Sequence, residues 1–276
     1  MYKYLFGPVP SRRLGKSLGL DLVAPKTCNM NCVFCECGVT QKLTTERKSY
    51  INIEEAKREI IDFLKTSKPD CITFSGDGEP TLSNDLGEMI NWIKDNTDVN
   101  VVVITNSALL FDKKVRGEIS RADIIIPTIN SAENITFKKI NRPQKDISAE
   151  RIKEGIKALG DEFKGKIYLE TFIIEGINDT PEELGKLADF LKNVNYTKLQ
   201  LNKLDRPGTE KWVLPASMER LEFVKNFLEE KGLHDVEILG KFHIDEKDKI
   251  EKNEELLENM KSKRIYSEEE IEAIYK

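Results

Sequence analysis

The 276-residue sequence has no apolar run long enough to cross a bilayer. Its opening residues, MYKYLFGPVPSRRLG, contain neither the apolar stretch nor the small-residue cleavage site of a secretory signal. We expect a soluble, cytoplasmic protein with no membrane partner. Positive charge is not in excess: 43 Lys and Arg stand against 48 Asp and Glu, a net charge of −5. No global basic field therefore draws the chain to nucleic acid, which would need a local patch instead. Histidine is nearly missing, and His234 and His243 lie far along the chain from the cysteines. Cysteine is also scarce, at five residues, but four of them (Cys28, Cys32, Cys35 and Cys37) fall within ten positions. In a cytosolic chain that clustering reads as metal binding rather than as a disulfide framework.

What is present is a regular alternation. Short β-branched runs at Leu18–Val23, Cys71–Ser75, Val101–Asn106, Asp123–Ile129, Lys166–Ile174 and Lys198–Asn202 are almost continuously apolar, as strands buried on both faces are. Amphipathic segments separate them. Ile53, Ala56, Ile60 and Leu64 share one face behind the cap pair Asn52 and Glu55. Leu86, Met89, Ile90 and Ile93 form a second, and Ile152, Ile156 and Leu159 a third behind Ser148. Thr180, Pro181 and Glu183 read as a capping box with proline at the first helical position. Ser217 opens a helix carrying Leu221, Val224 and Leu228.

Six β-then-α units imply a parallel sheet with right-handed crossovers. Periodicity leaves two closures open: a doubly wound sheet, or a full or partial barrel. Both bind ligands beyond the C-terminal ends of the strands. The polar signals fall there: the cysteines, then SGDGEP, TNS, NSAEN, EGIND and NKLDRPG. After about Asp245 the chain becomes dense in Lys and Glu, with Leu256, Leu257 and Met260 as one apolar stripe and Ser267 as a cap before Ile271 and Ile274. We expect a core over residues 1–244 and a charged helical extension over 245–276. Two readings of that extension stand, a cap packed on the core and a helix-turn-helix remnant.

The run CNMNCVFCECG places cysteines in a Cys-x3-Cys-x2-Cys pattern. Three thiolates on one tight loop can hold three corners of a cubane iron–sulfur cluster, whereas electron-transfer clusters use four. The iron left open can take a small molecule through an amine and a carboxylate. A structural zinc site wants four ligands, usually as two separated pairs. Cys37 would have to complete it through an awkward Cys-x-Cys chelate, so we read Cys37 as a non-ligand. Cys71 opens an apolar strand and is read as core.

The run Cys28-x3-Cys32-x-Phe34-Cys35 resembles the signature of the radical S-adenosylmethionine (SAM) superfamily, including the aromatic residue before the third cysteine. Ser75-Gly76-Asp77-Gly78-Glu79-Pro80 resembles its Gly-Gly-Glu-Pro motif with one residue inserted. From Phe6 to about Pro215 the chain is similar to uncharacterised Fe-S oxidoreductases grouped with wyosine-type tRNA modification enzymes. The resemblance implies a partial (β/α)6 TIM-like barrel of parallel strands. It implies a 4Fe-4S cluster on Cys28, Cys32 and Cys35, with SAM as second cofactor. It further implies that Phe34 lies beside the adenine and that Gly78 and Glu79 meet the methionine amino group. Asn106 and Asn130 are placed at the methionine carboxylate or ribose, with Ser131 and Arg142 as further candidates, and Gln200 and Asn202 at the adenine. An amide side chain, which both donates and accepts, suits a ribose diol and a zwitterion, although Asn also caps turns.

The activity so implied is reductive cleavage of SAM to a 5′-deoxyadenosyl radical. That radical takes hydrogen from an unidentified substrate, and the electron comes from an external donor such as ferredoxin or flavodoxin. We expect a small-molecule substrate. Alternatives are wyosine-type tRNA base modification, activation of a glycyl-radical enzyme, and a non-catalytic Fe-S or zinc module. Two spare cysteines do not readily build the second cluster of the tRNA-modifying relatives. Arg12 and Arg13 admit two readings, an anion site and salt bridges that close the open side of a barrel.

Overall fold

The computed structural model describes residues 2–240, 249 and 251–275. The expected boundary at 244/245 lies outside the described residues. In chain order the strands are β1 (Leu5–Ser11), β2 (Gly15–Leu20), β3 (Thr27–Cys28), β4 (Lys42–Leu43), β5 (Cys71–Phe74), β6 (Asn100–Thr105), β7 (Ile124–Pro127), β8 (Lys166–Phe172), β9 (Lys198–Asn202) and β10 (Val236–Ile238). The helices are α1 (Ile53–Leu64), α2 (Leu86–Asn96), α3 (Lys113–Glu118), α4 (Asn134–Asn141), α5 (Ala149–Glu162), α6 (Pro181–Leu191), α7 (Met218–Glu230), α8 (Glu254–Lys263) and α9 (Glu268–Ile274). None is long and apolar enough to cross a membrane among the described residues.

The main sheet runs β1-β2-β5-β6-β7-β8-β9-β10. Every pairing from β2 onward is parallel, and β1 alone is antiparallel, to β2. The architecture is the expected α/β partial barrel, with seven parallel strands rather than six. Side chains alternate as the pleat dictates. Leu18, Leu20, Ile72, Phe74, Val101, Val103, Ile125, Leu169, Leu199 and Leu201 join the helices in the main core. Their neighbours Cys71, Val102, Ile124, Ile126 and Tyr168 pack with one another on the other face.

Helix starts are where small polar residues put them. Asn52 Oδ1 accepts from the Glu54 and Glu55 N–H groups, and Ser148 and Ser217 cap α5 and α7. Thr180 accepts from Glu183 N–H with Pro181 at the first position. The capping box is only half made, because the Glu183 carboxylate accepts instead from Ser131 and Thr136 hydroxyls.

Strands β1 and β10 and helices α3 and α4 were not expected from the sequence. Pro8 and Pro10 argue against a strand, yet β1 is an edge strand whose register shifts between Phe6 and Val9, and a bulge tolerates a missing N–H. Gly7, at φ +94°, occupies that shift in a conformation side chains rarely adopt. The apolar stripe of α8 explains the tail: Leu257 and Met260 bury against Phe6 of β1, together with Tyr275. Asn259 ties the helix down by donating to the Tyr2 and Leu5 carbonyls at 2.7 and 3.0 Å.

Candidate metal and cofactor site

The cysteine loop leaves β2 at the C-terminal rim of the barrel and is pinned from two sides. The short β3–β4 ladder brackets it, with Thr44 N–H donating to Cys28 O at 2.9 Å. On the other side Asn31 N–H donates to the Asn141 and Arg142 carbonyls, and Val33 N–H to Ile140 O. Those acceptors are free because α4 ends there, at Arg142 in the left-handed region (φ +43°). Inside the loop, Cys35 N–H donates to Cys32 O and Gly38 N–H to Cys35 O.

The sulfurs sit in a field of donors. Met30 N–H and Asn106 Nδ2 each lie 3.5 Å from Cys28 Sγ, and Asn141 Nδ2 lies 3.3 Å from Cys32 Sγ. Hydrogen bonds to sulfur are what an iron–sulfur cluster uses to set its potential. Buried Asn29 carries an Nδ2 with no partner, an orphan donor in the middle of the loop. Burial pushes the Cys32 thiol up to about 11 and raises Cys28 as well, so without a metal both hold their protons. The neighbouring Cys37 and burial raise the Cys35 thiol. Among the described residues no three His, Cys, Asp or Glu side chains converge as a single ion requires. The N–H donors to the Cys28 and Cys32 sulfurs are the kind of environment that suits a cluster held by cysteines.

The SGDGEP turn closes the floor. Gly78 is wedged under the loop, where a Cβ would run into the Thr27 carbonyl, and Glu79 N–H donates to that same carbonyl at 3.1 Å. The carbonyl that meets the cysteine loop is that of Gly76, 3.4 Å from Cys37 Sγ. The Glu79 carboxylate is buried. One oxygen accepts from Thr81 N–H, Thr81 Oγ1 and Thr105 Oγ1 at 3.1, 2.6 and 2.6 Å, and the other from Asn106 N–H at 2.9 Å. Burial raises its pKa despite those donors. Glu79 thus caps the short 3-10 turn at Pro80–Leu82 and ties it to the end of β6.

The remaining expected residues divide. Phe34 stacks on Phe172 with centroids 4.2 Å apart and planes 13° from parallel. Asn106 donates to Asn29 Oδ1 at 2.7 Å besides facing Cys28. Asn130 is buried, accepts from Phe172 N–H at 2.8 Å and lies 3.4 Å from Asn141 Oδ1. These groups converge on the cysteine loop. Gln200 and Asn202 belong to another set: Arg13 donates to Gln200 and Glu170, and Arg12 to Asn202 Oδ1 at 3.3 Å. Arg12 also pairs with Asp205 at 2.7 Å and reaches the Gly240 carbonyl. The tip of the β1–β2 hairpin therefore bridges to β8, β9 and the chain after β10, which is the closing role. Ser131 is occupied by Glu183, and Arg142 by Glu210 at 2.5 Å. Asn29 and Asn141 were missed by sequence reasoning. Asn29 adjoins a cysteine, a signal that was available, whereas Asn141 depends on where α4 stops.

The fold and site define an α/β partial-barrel protein with a three-cysteine loop at the rim of its parallel sheet. The chain belongs to the radical SAM superfamily, whose family model matches residues 23–191. It is 38% identical over 241 residues to a UPF0026 protein of Methanocaldococcus jannaschii, covering 86% of this chain and 75% of that one. Among solved structures it is similar in fold to a radical SAM methyltransferase from Sphaerobacter thermophilus (TM-score 0.62, 15% identity, covering 80% of this chain and 65% of that one). It is also similar to TYW1 with a lysine-pyruvate adduct bound (TM-score 0.55, 18% identity, covering 78% and 73%). At those identities the likeness to the solved structures, TYW1 included, is one of fold.

Proposed function

We propose that the chain is a radical SAM enzyme acting on a small molecule, with a 4Fe-4S cluster on Cys28, Cys32 and Cys35. The observation that carries this reading is the set of amide donors trained on the cysteine loop, with Asn29 Nδ2 left unpartnered in the protein. If bound there and reduced by a ferredoxin- or flavodoxin-type donor, such a cluster would supply the electron for reductive cleavage of SAM, the chemistry by which hydrogen would be taken from the substrate.

The chain's own share is positioning. Asn106 and Asn141 hold the loop through Cys28 and Cys32. Glu79, saturated by its four donors, fixes the turn so that Gly76 and Gly78 present backbone to the methionine end. Phe34, Asn106 and Asn130 lie on the cofactor side. Gln200 and Asn202, bound by Arg12 and Arg13, shape the barrel beneath it. A second cluster has no ligands to spare: Cys71 opens β5, at the opposite end of the strand from the turn, beside Thr73 Oγ1 at 3.4 Å. That weighs against the tRNA-modifying alternative, as does the acidic balance.

The test is anaerobic reconstitution with iron and sulfide, followed by dithionite and SAM. We expect about four irons per chain and release of 5′-deoxyadenosine. Uptake of zinc without sulfide, or a fully loaded protein that leaves SAM intact, would sink the reading.

A further inference from the structure

The two halves of the SGDGEP turn are held in different ways. The second half is fixed locally: Glu79 N–H donates to the Thr27 carbonyl at 3.1 Å, and the Glu79 carboxylate is saturated by its four donors. The first half has less of its own. Asp77 stands between Gly76 and Gly78, so the run Gly-Asp-Gly carries the most backbone freedom in the turn. Ser75 N–H donates to Leu20 O at 3.3 Å, and Asp77 N–H reaches Asp21 Oδ2 at 3.4 Å. The Gly76 backbone packs so closely on Asp21 that a Cβ there would run into the carboxylate.

The charge that these two aspartates need arrives from the far end of the chain. Helix α8 is pinned by Leu257 and Met260 against Phe6, and by Asn259 on the Tyr2 and Leu5 carbonyls. Its last residue, Lys263, places Nζ 2.6 Å from Asp21 Oδ2 and 3.6 Å from Asp77 Oδ1. Lys26 lies 3.4 Å from Asp77 Oδ2. The side chains of Asp21 and Asp77 are 5% and 4% exposed, and that of Lys263 14%. Two carboxylates so withdrawn from water repel each other unless a cation stands between them. Asp77 Oδ1 makes no hydrogen bond, so charge rather than a directed bond holds that oxygen. Both Asp21 and Lys263 fall outside residues 23–191, the span that the superfamily model matches.

We propose that Lys263 is a positioning residue for SAM. By bridging Asp21 and Asp77 it holds residues 75–78 in the conformation that presents the Gly76 backbone to the methionine end. The C-terminal helix thereby completes a binding turn at the ends of β2 and β5. The proposal rests on the SAM reading above, and Lys263 takes no part in the chemistry.

The experiment measures binding, not turnover. SAM is titrated into the anaerobically reconstituted, unreduced full chain, after circular dichroism and iron and sulfide content have been recorded. Lys263→Gln, which removes the charge but keeps a donor, is expected to hold wild-type iron and to bind SAM about tenfold more weakly. A folded, loaded variant with the wild-type affinity overturns the proposal. So does a folded variant that loses its iron, since the lysine would then support the cysteine loop rather than the turn. If the variant does not fold, hydrogen exchange of the loaded wild-type chain decides, because coupling between two sites is reciprocal. SAM should slow exchange in residues 75–78 and in the last turn of α8 together, and any other pattern overturns the proposal. A wild-type chain that builds no cluster, or builds one and binds no SAM, fails before any variant is compared, sinking the SAM reading and this proposal with it.

Discussion

The two sides of the barrel mouth use the same kinds of side chain to different ends. On the side of β2, β5, β6 and β7, Asn106 and Asn141 spend their amides on cysteine sulfur, and Asn29 Nδ2 has no partner. On the side of β8, β9 and β10, Gln200 and Asn202 are closed off by Arg12, Arg13, Glu170 and Glu237. A donor aimed at sulfur or left unpaired costs free energy unless something else binds there. A donor closed on a charged neighbour is already satisfied. Residue type did not separate the cysteine side from the load-bearing side; the partner did.

The comparison breaks first, and most completely, at the cysteines. Alanine at Cys28, Cys32 or Cys35 should abolish cluster assembly, read as iron and sulfide per chain, while Cys71→Ala and Cys37→Ala should keep it. Loss of iron in Cys37→Ala would move that residue into the ligand set. Next comes Glu79, on the cysteine side yet satisfied. Glu79→Ala strands four donors and should cost about 3 kcal/mol in chemical denaturation. The sign with pH follows from its raised pKa. Its contribution is complete below the unfolded carboxylate value and falls as pH rises through the higher folded one, so the deficit of the alanine variant should be largest in mild acid.

On the load-bearing side, Arg13→Ala leaves the half-buried Glu170 without its cation. It should cost roughly 3 kcal/mol, while iron uptake by the folded protein stays at the wild-type level. Arg13→Met with Glu170→Met should recover most of that stability. Iron loss in the folded single variant would erase the distinction between the two sides. The smallest effect is expected at Asn141. Asn141→Ala should fold with near wild-type stability but lose iron about tenfold more readily to a chelator, the scale of a lost hydrogen bond to a ligand. No change there would leave Asn141 as a loop tie alone.

Much of this was legible in residues read one after another. The apolar runs marked six of the seven parallel strands, and Asn52, Ser148, Thr180 and Ser217 marked helix starts, because periodicity and capping are local. Strand β1 was hidden by Pro8 and Pro10, whose cost disappears only at an edge with a bulge. Helix α4 is short and loosely patterned, so its end, and with it Asn141, could not be placed.

By itself the sequence determined the α/β alternation, the three-cysteine loop and the turn that follows the second of the expected strands, since each depends on neighbours in the chain. Only the tertiary structure decided which strand-end amides face the cysteines and which serve the hairpin. It alone closed the barrel with Arg12 and Arg13, and it alone carried Lys263 to Asp21, more than two hundred residues away. Those outcomes depend on long-range juxtaposition, and spacing along a chain does not encode which distant side chain will arrive to satisfy a donor or a charge.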